Sequence, residues 1–299
     1  MKKIKEKLKT LFKITVSIVL IVYLVLNKVD KNELIRNFKL LDWRFIPLIF
    51  ILIVSHYIVS SFRWKSLLVH DKAKNVSPLY LFNLYFIGAF FNNFMPTSVG
   101  GDVYKAYMLS KKIDDSAIGL SSVFTERFTG IIMLALIALL SLSKSLGFKV
   151  LILIIWLVMG IYLGLYALKL LSKTKFKFFK KVYDALMIYR NYPKVLLFAM
   201  LSSIIVQVLS ILTQYFTFMA IGVRLPIFYS FLAFPVITLA GFFIPSLNGY
   251  GVQDALYMSM FSLVGVPAET AVSASIIYHL LRLGVSLIGG VLYALGKDS

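Results

Sequence analysis

The sequence predicts an all-α polytopic membrane protein, with about six spanning helices and two re-entrant helical hairpins in an inverted-topology repeat. Three observations predict it. The first is composition. Of 299 residues, 60% are hydrophobic and 15% charged, and the mean hydropathy is +0.86, outside the range of soluble domains. The second is segmentation: apolar runs fall at about 11–26, 45–62, 79–95, 118–142, 150–171, 195–221, 228–244, 252–264 and 271–295. The third is an internal echo. One apolar region is interrupted by Asn92-Asn93-Phe94-Met95-Pro96-Thr97-Ser98-Val99-Gly100-Gly101-Asp102, another by Ile244-Pro245-Ser246-Leu247-Asn248-Gly249-Tyr250-Gly251. Pro96 precedes Gly100 by four residues, as Pro245 precedes Gly249, and the two motifs are 149 residues apart. Broken apolar segments at matching places in two halves point to a transporter site near the bilayer midplane.

In chain order, the run at 11–26 follows Lys2, Lys3, Lys5, Lys7 and Lys9. This resembles a signal peptide, but no small-x-small cleavage site follows Leu26, so a retained helix is expected. Asp30 to Arg44 is polar with Leu34, Ile35, Phe38, Leu40 and Leu41 interspersed, the pattern of a short interfacial amphipathic helix. The remaining runs are oriented by charge. Residues 1–13 carry six lysines, residues 63–78 four basic side chains and residues 173–194 seven, so all three stretches are expected on the cytoplasmic side. The short connections at 143–149 and 222–227 are expected outside. With residue 63 inside and helix 118–142 starting inside, 79–117 must enter from the cytoplasm and return to it. Val103 to Ser110 is too short and polar for a second span, which favours a hairpin. By the same logic, 228–264 enters from outside and returns there. The expected halves are 10–142 and 150–295 of a single transmembrane domain, with both termini cytoplasmic in a plasma membrane.

Non-helical backbone in hydrocarbon is tolerated only against protein or a water-filled cavity. Pro96 and Pro245 remove a donor and interrupt helix, and Gly100, Gly101, Gly249 and Gly251 permit tight turns. Asn92, Asn93 and Asn248 are polar groups at the tips. Asp102 and Asp254 are the acidic members of the two hairpins. For Asp102, capping of the second limb, pairing with an arginine and carriage of a coupling proton are all open. Lys105 can snorkel to the cytoplasmic rim. Glu126, Arg127 and Arg282 sit inside apolar runs, where charge is costly and usually faces the bundle interior. Arg127 and Arg282 come from corresponding helices of the two halves. They suit either a phosphate clamp or internal ion pairs, Arg127 with Asp102 and Arg282 with Asp254. Arg63-Trp64 is readable as an interface anchor or as the mouth receiving a headgroup. Gln207 and Gln214 are expected as interhelical hydrogen-bond partners, and His56, His70 and His279 as scattered core or surface histidines.

No Walker A, H-E-x-x-H or G-x-S-x-G motif is present, and Asp114-Asp115 is the one adjacent acidic pair, read as a turn or a helix cap. There are no cysteines, hence no disulfide framework. Enzymatic activity, metal and cofactor are not expected. The charge of +19 reads as topological and as attraction to anionic lipid, not as nucleic-acid binding.

Taken together, the segment Asn92 to Asp102 followed by Lys105, the pair Glu126-Arg127, and Pro245, Gly249, Gly251 and Asp254 resemble the transmembrane flippase-like domain of lysylphosphatidylglycerol synthases, over about residues 10 to 295. The resemblance implies a stand-alone member without the soluble aminoacyl-transferring domain, and so no synthase activity. Gln253 stands where a basic residue is frequent in that family. Translocation of a phosphate-bearing lipid is implied, either a phospholipid or an isoprenoid-phosphate carrier, with membrane lipids as the partners. Alternatives from the residues alone are an ion-coupled transporter of a small anion and a membrane-embedded transferase acting on an isoprenoid phosphate. Arg63, Asn92, Asn93, Pro96, Gly100, Gly101, Asp102, Lys105, Glu126, Arg127, Pro245, Asn248, Gly249, Gly251, Asp254 and Arg282 are the expected headgroup-binding residues.

Overall fold

A computed structural model describes residues 31–94, 99–174, 177–244, 246 and 248–297. The predicted first span, Pro96 and Pro245 lie outside the described residues. Among the described residues the regular structure is entirely helical. Five helices are long and apolar enough to cross a membrane: α2 (Phe45–Ser66), α5 (Ser116–Ser141), α6 (Lys149–Leu171), α8 (Pro193–Ala220) and α11 (Ala268–Ala294). Four others are shorter than the ~20 residues a span requires: α3 (Pro78–Phe94), α4 (Gly100–Ile113), α9 (Ile227–Phe243) and α10 (Val252–Ser262). They form two broken pairs, α3–α4 and α9–α10. Two amphipathic helices flank the bundle, α1 (Lys31–Lys39) and α7 (Lys177–Ile188).

The helices meet in a paired pattern. α2 packs on α8; α3 packs on α11 as α9 packs on α5; and α4 packs on α5 as α10 packs on α11. Each pairing keeps a counterpart when α2–α5 are exchanged for α8–α11. α2 and α8 run antiparallel. At one end the Asp42 N–H donates to Ala220 O at 2.7 Å. At the other, Arg63 Nη1 donates to Ser203 Oγ at 2.8 Å. α3 and α11 are also antiparallel, since Asn83 contacts Lys297 O and Asn93 contacts Ser286.

Small residues set how closely these helices cross. A Cβ on Gly101 would lie 2.0 Å from Gly88 O, and one on Gly289 would lie 1.9 Å from Phe86 O. α3 is thus held between α4 and α11 at backbone contact distance. By contrast α6 buries only Val150 and exposes Leu151, Ile155, Trp156 and Leu163. An all-round apolar helix with so little protein around it needs hydrocarbon as its solvent. α1 docks through buried Asn37, which donates to Ser273 Oγ at 3.2 Å.

Asp115 caps α5, accepting from the N–H groups of Ala117 and Ile118 at 3.0 and 3.2 Å. Asp114, at φ 50°, supplies the left-handed turn before it. In the second pair Asn248, Gly249 and Gly251 have φ of 49°, 88° and 78°, the left-handed conformations that glycine and asparagine tolerate best.

Candidate functional site

A cavity of about 220 Å³ sits where the broken pairs meet the long helices. Its wall draws on the middle of α5, α8 and α11, on the second half of α2, and on all four hairpin limbs. The structure brings Arg63, Asn92, Asp102, Lys105, Glu126, Arg127, Asn248 and Arg282 together on this wall. These residues span more than two hundred positions of sequence.

The charged groups form a ladder. Arg63 Nη2 donates to Glu126 Oε1 at 2.5 Å. Lys105 Nζ lies 3.3 Å from Glu126 Oε2 and 3.0 Å from Asp102 Oδ1. Arg127 Nε closes the row on Asp102 Oδ2. The ladder is therefore Arg63–Glu126–Lys105–Asp102–Arg127. The first four side chains are at most 7% exposed, whereas Arg127 is 27% exposed. Charges this deep persist only when paired and hydrogen-bonded. The Tyr85 hydroxyl also donates to Glu126 Oε1. Lys105 Nζ stands 3.8 Å from the Tyr85 ring centroid and 5.1 Å from that of Trp64.

Three expectations are corrected here. Arg63 and Trp64 are not an interface anchor: Trp64 is fully buried, its indole N–H donates to Ser122 Oγ at 3.0 Å, and Arg63 belongs to the ladder. Lys105 does not snorkel to a rim, because two carboxylates hold it inside. Asp102 does not cap α4. Asn92 does so instead, its Oδ1 accepting the Gly101 N–H at 2.7 Å, which leaves the Asp102 carboxylate to the cations.

Arg282 enters from α11. Its guanidinium lies 5.4 Å from the Tyr278 ring centroid, and no described carboxylate is within ion-pair distance of it. Of the two ion pairs that are one reading of these arginines, Arg127–Asp102 forms and Arg282–Asp254 does not. Asp254 Oδ2 instead accepts the Gly251 N–H at 2.8 Å, and Oδ1 accepts from Ser275 Oγ at 2.5 Å, with His279 Nε2 at 3.4 Å. Asp254 therefore closes the start of α10 and stands off the cavity wall. Gly100, Gly101, Gly249 and Gly251 act through backbone geometry around the tips. Asn93 links the tips: Asn248 Nδ2 donates to Asn93 Oδ1 at 3.0 Å, and Asn93 Nδ2 donates to Ser286 Oγ at 2.8 Å.

Several wall residues carry no motif. His56, Tyr57, Tyr85, Gln207, Gln253 and Tyr278 all face the cavity. The Gln253 side chain fills the space beside Gly241 and Gly249, where added Cβ atoms would come within 2.5 and 2.6 Å of it. Gln207 was legible as a polar group inside an apolar run, and its Nε2 donates to Gly130 O at 3.1 Å. The tyrosines carry no such signal in a chain with 17 of them. Two buried polar atoms on the wall, Ser60 Oγ and Arg63 Nε, have no hydrogen-bond partner among the described residues.

A family model described as Lysylphosphatidylglycerol synthase TM region matches residues 10–290. The chain is also similar to a UPF0104 membrane protein of Methanocaldococcus jannaschii, with 26% identity over 225 residues, covering 68% of this chain and 93% of that protein. No solved structure matches. Every residue on the cavity wall, from Ile53 to Arg282, falls inside the matched range.

Proposed function

The chain belongs to the lysylphosphatidylglycerol synthase TM-region family, and from that membership and its cavity we propose that it is a membrane transporter moving a phosphate-bearing lipid between leaflets. The observation that carries the reading is the cation excess of the cavity. Among the described residues, Arg63, Lys105, Arg127 and Arg282 share the wall with only two carboxylates, Asp102 and Glu126. Guanidinium and ammonium groups so arranged match a phosphate in charge and in hydrogen-bond geometry. Arg127 and Arg282 are the clamp, and Asn92 and Asn248 of the two tips flank the headgroup path. The lipid tail remains in the bilayer.

The exchange symmetry of the packing supports an inverted repeat, with 10–142 and 150–295 as its halves. The two broken pairs are then re-entrant hairpins entering from opposite faces, and alternating access is a rocking of one half against the other. The basic stretches at 63–78 and 173–194 support a cytoplasmic side for these loops, and with it the reading of a plasma-membrane protein whose termini lie in the cytoplasm. A small-anion transporter is the second reading, favoured because the same cations on the wall would serve a free anion as well as a headgroup.

The test is reconstitution of the full chain into liposomes with a fluorescent phospholipid, comparing wild type with Arg127→Ala and Arg282→Ala. Loss of one charge-assisted contact is expected to slow leaflet exchange about tenfold or more. Unchanged exchange in two well-folded variants would remove the clamp.

A further inference from the structure

We propose that the cavity is selective for a terminal phosphate, a dianion, over a phosphate diester or an aminoacylated headgroup, and that Arg282 sets this preference. The inference rests on the transport reading above and names the substrate class of the same cavity. Two observations carry it.

The first is charge. Among the described residues four cations face two carboxylates on the wall, an excess of two positive charges with His56 left out of the count. The other titratable side chains facing inward are Tyr57, Tyr85 and Tyr278, and Tyr85 is committed to Glu126. Uncompensated charge withdrawn from bulk water is costly. A dianion cancels the excess, a diester leaves one positive charge, and an aminoacyl headgroup bearing an ammonium leaves two or more. A phosphate monoester loses its second proton near pH 6, so at pH 7 it is mostly the dianion.

The second is where donors remain. Ser203 and Glu126 engage Arg63 Nη1 and Nη2, Asp102 and Glu126 engage Lys105 Nζ, and Asp102 engages Arg127 Nε. Arg282 faces the same cavity from the other half of the chain, with no described carboxylate in reach. A terminal phosphate offers three oxygens to its guanidinium, and a diester offers two.

The test uses the full chain in liposomes containing, in separate preparations, fluorescent phosphatidic acid, fluorescent phosphatidylglycerol or fluorescent lysylphosphatidylglycerol. Leaflet exchange is read at pH 5 and pH 7.5 against protein-free liposomes. Uptake of radiolabelled inorganic phosphate is the parallel arm. Phosphatidic acid is expected to cross about tenfold faster than the other two at pH 7.5, with the advantage shrinking at pH 5 as the second proton returns. Arg282→Gln is expected to bring phosphatidic acid down to the diester rate, and Arg282→Lys, which keeps the charge, to retain much of the preference. Equal rates for phosphatidic acid and phosphatidylglycerol would overturn the selectivity while leaving lipid transport standing. A preference that survives Arg282→Gln would overturn the role given to Arg282. Uptake of inorganic phosphate without lipid exchange would support the dianion site and overturn lipid as its source. Movement of no probe would overturn both readings.

Discussion

Glu126→Gln is the most revealing single substitution in the ladder. Glu126 is 2% exposed, and its two oxygens serve three donors. Oε1 accepts from Arg63 Nη2 at 2.5 Å and from the Tyr85 hydroxyl, and Oε2 faces Lys105 Nζ at 3.3 Å. Glutamine keeps one acceptor of similar shape but removes the charge, and its amide nitrogen turns a donor toward a cation. Lys105 retains Asp102 at 3.0 Å, whereas Arg63 retains only the Ser203 hydroxyl. Breaking a buried pair from one side costs roughly 3–5 kcal/mol, because a charge is stranded. At about 2–4 °C per kcal/mol, the value for domains of 150–250 residues, the apparent melting temperature in detergent falls by roughly 6–20 °C. The decisive comparison adds Arg63→Met. If stranding is the cause, the double variant melts higher than Glu126→Gln alone, with a coupling of about 0.5–3 kcal/mol. An unchanged melting temperature in Glu126→Gln, or a double variant equal to the sum of the singles, would refute this account of the ladder.

Three further outcomes are expected. Gly101→Ala forces α3 and α4 apart, because its Cβ would meet Gly88 O at 2.0 Å, whereas a Cβ on Gly164 meets nothing within 4 Å. Gly101→Ala is expected to lose about 1–3 kcal/mol and Gly164→Ala to stay within about 0.5 kcal/mol, read as detergent melting. Asn248→Ala removes the tip-to-tip hydrogen bond to Asn93 at a cost of about 1 kcal/mol, and the leaflet-exchange assay should change in rate more than melting changes. In a chain without native cysteine, Lys111→Cys is expected to react with an impermeant thiol reagent from the cytoplasmic side and Arg224→Cys from outside. Labelling of both from the same side would exclude the opposed hairpins.

The broken segments, the long apolar helices and the buried charges were legible because each violates what a bilayer favours. A proline among apolar residues, or a Glu-Arg pair inside an apolar run, is an anomaly readable without coordinates. What such anomalies bond to was less legible. Asp102 suits a cap by position, yet Asn92, ten residues earlier, reaches the same helix start, and only the folded-back geometry of α3 on α4 decides between them. Arg63 at the end of an apolar run looks like a rim residue until α8 is laid against it. The tyrosines of the wall were invisible for the same reason, since a lipid-facing ring and a cavity-facing ring look alike in sequence.

The paired packing of the two halves is not matched by paired chemistry. Lys105 and Asp254 are 149 residues apart, and so are Glu126 and Ser275. Each pair touches, Lys105 with Glu126 at 3.3 Å and Asp254 with Ser275 at 2.5 Å. The same two helix positions are therefore used twice, once for a charged contact on the cavity wall and once for a closed network around a helix start. Arg127 and Arg282 break the register. They are 155 residues apart, so Arg282 sits six residues beyond the position equivalent to Arg127, about 9 Å farther along its helix at 1.5 Å per residue. That displacement carries it past the closed Asp254 network and onto the cavity wall. A strictly symmetric chain would set a second arginine beside a second carboxylate and neutralise it. The offset is what leaves Arg282 without a carboxylate among the described residues, and hence what gives one side of a near-symmetric bundle the charge to hold an anion.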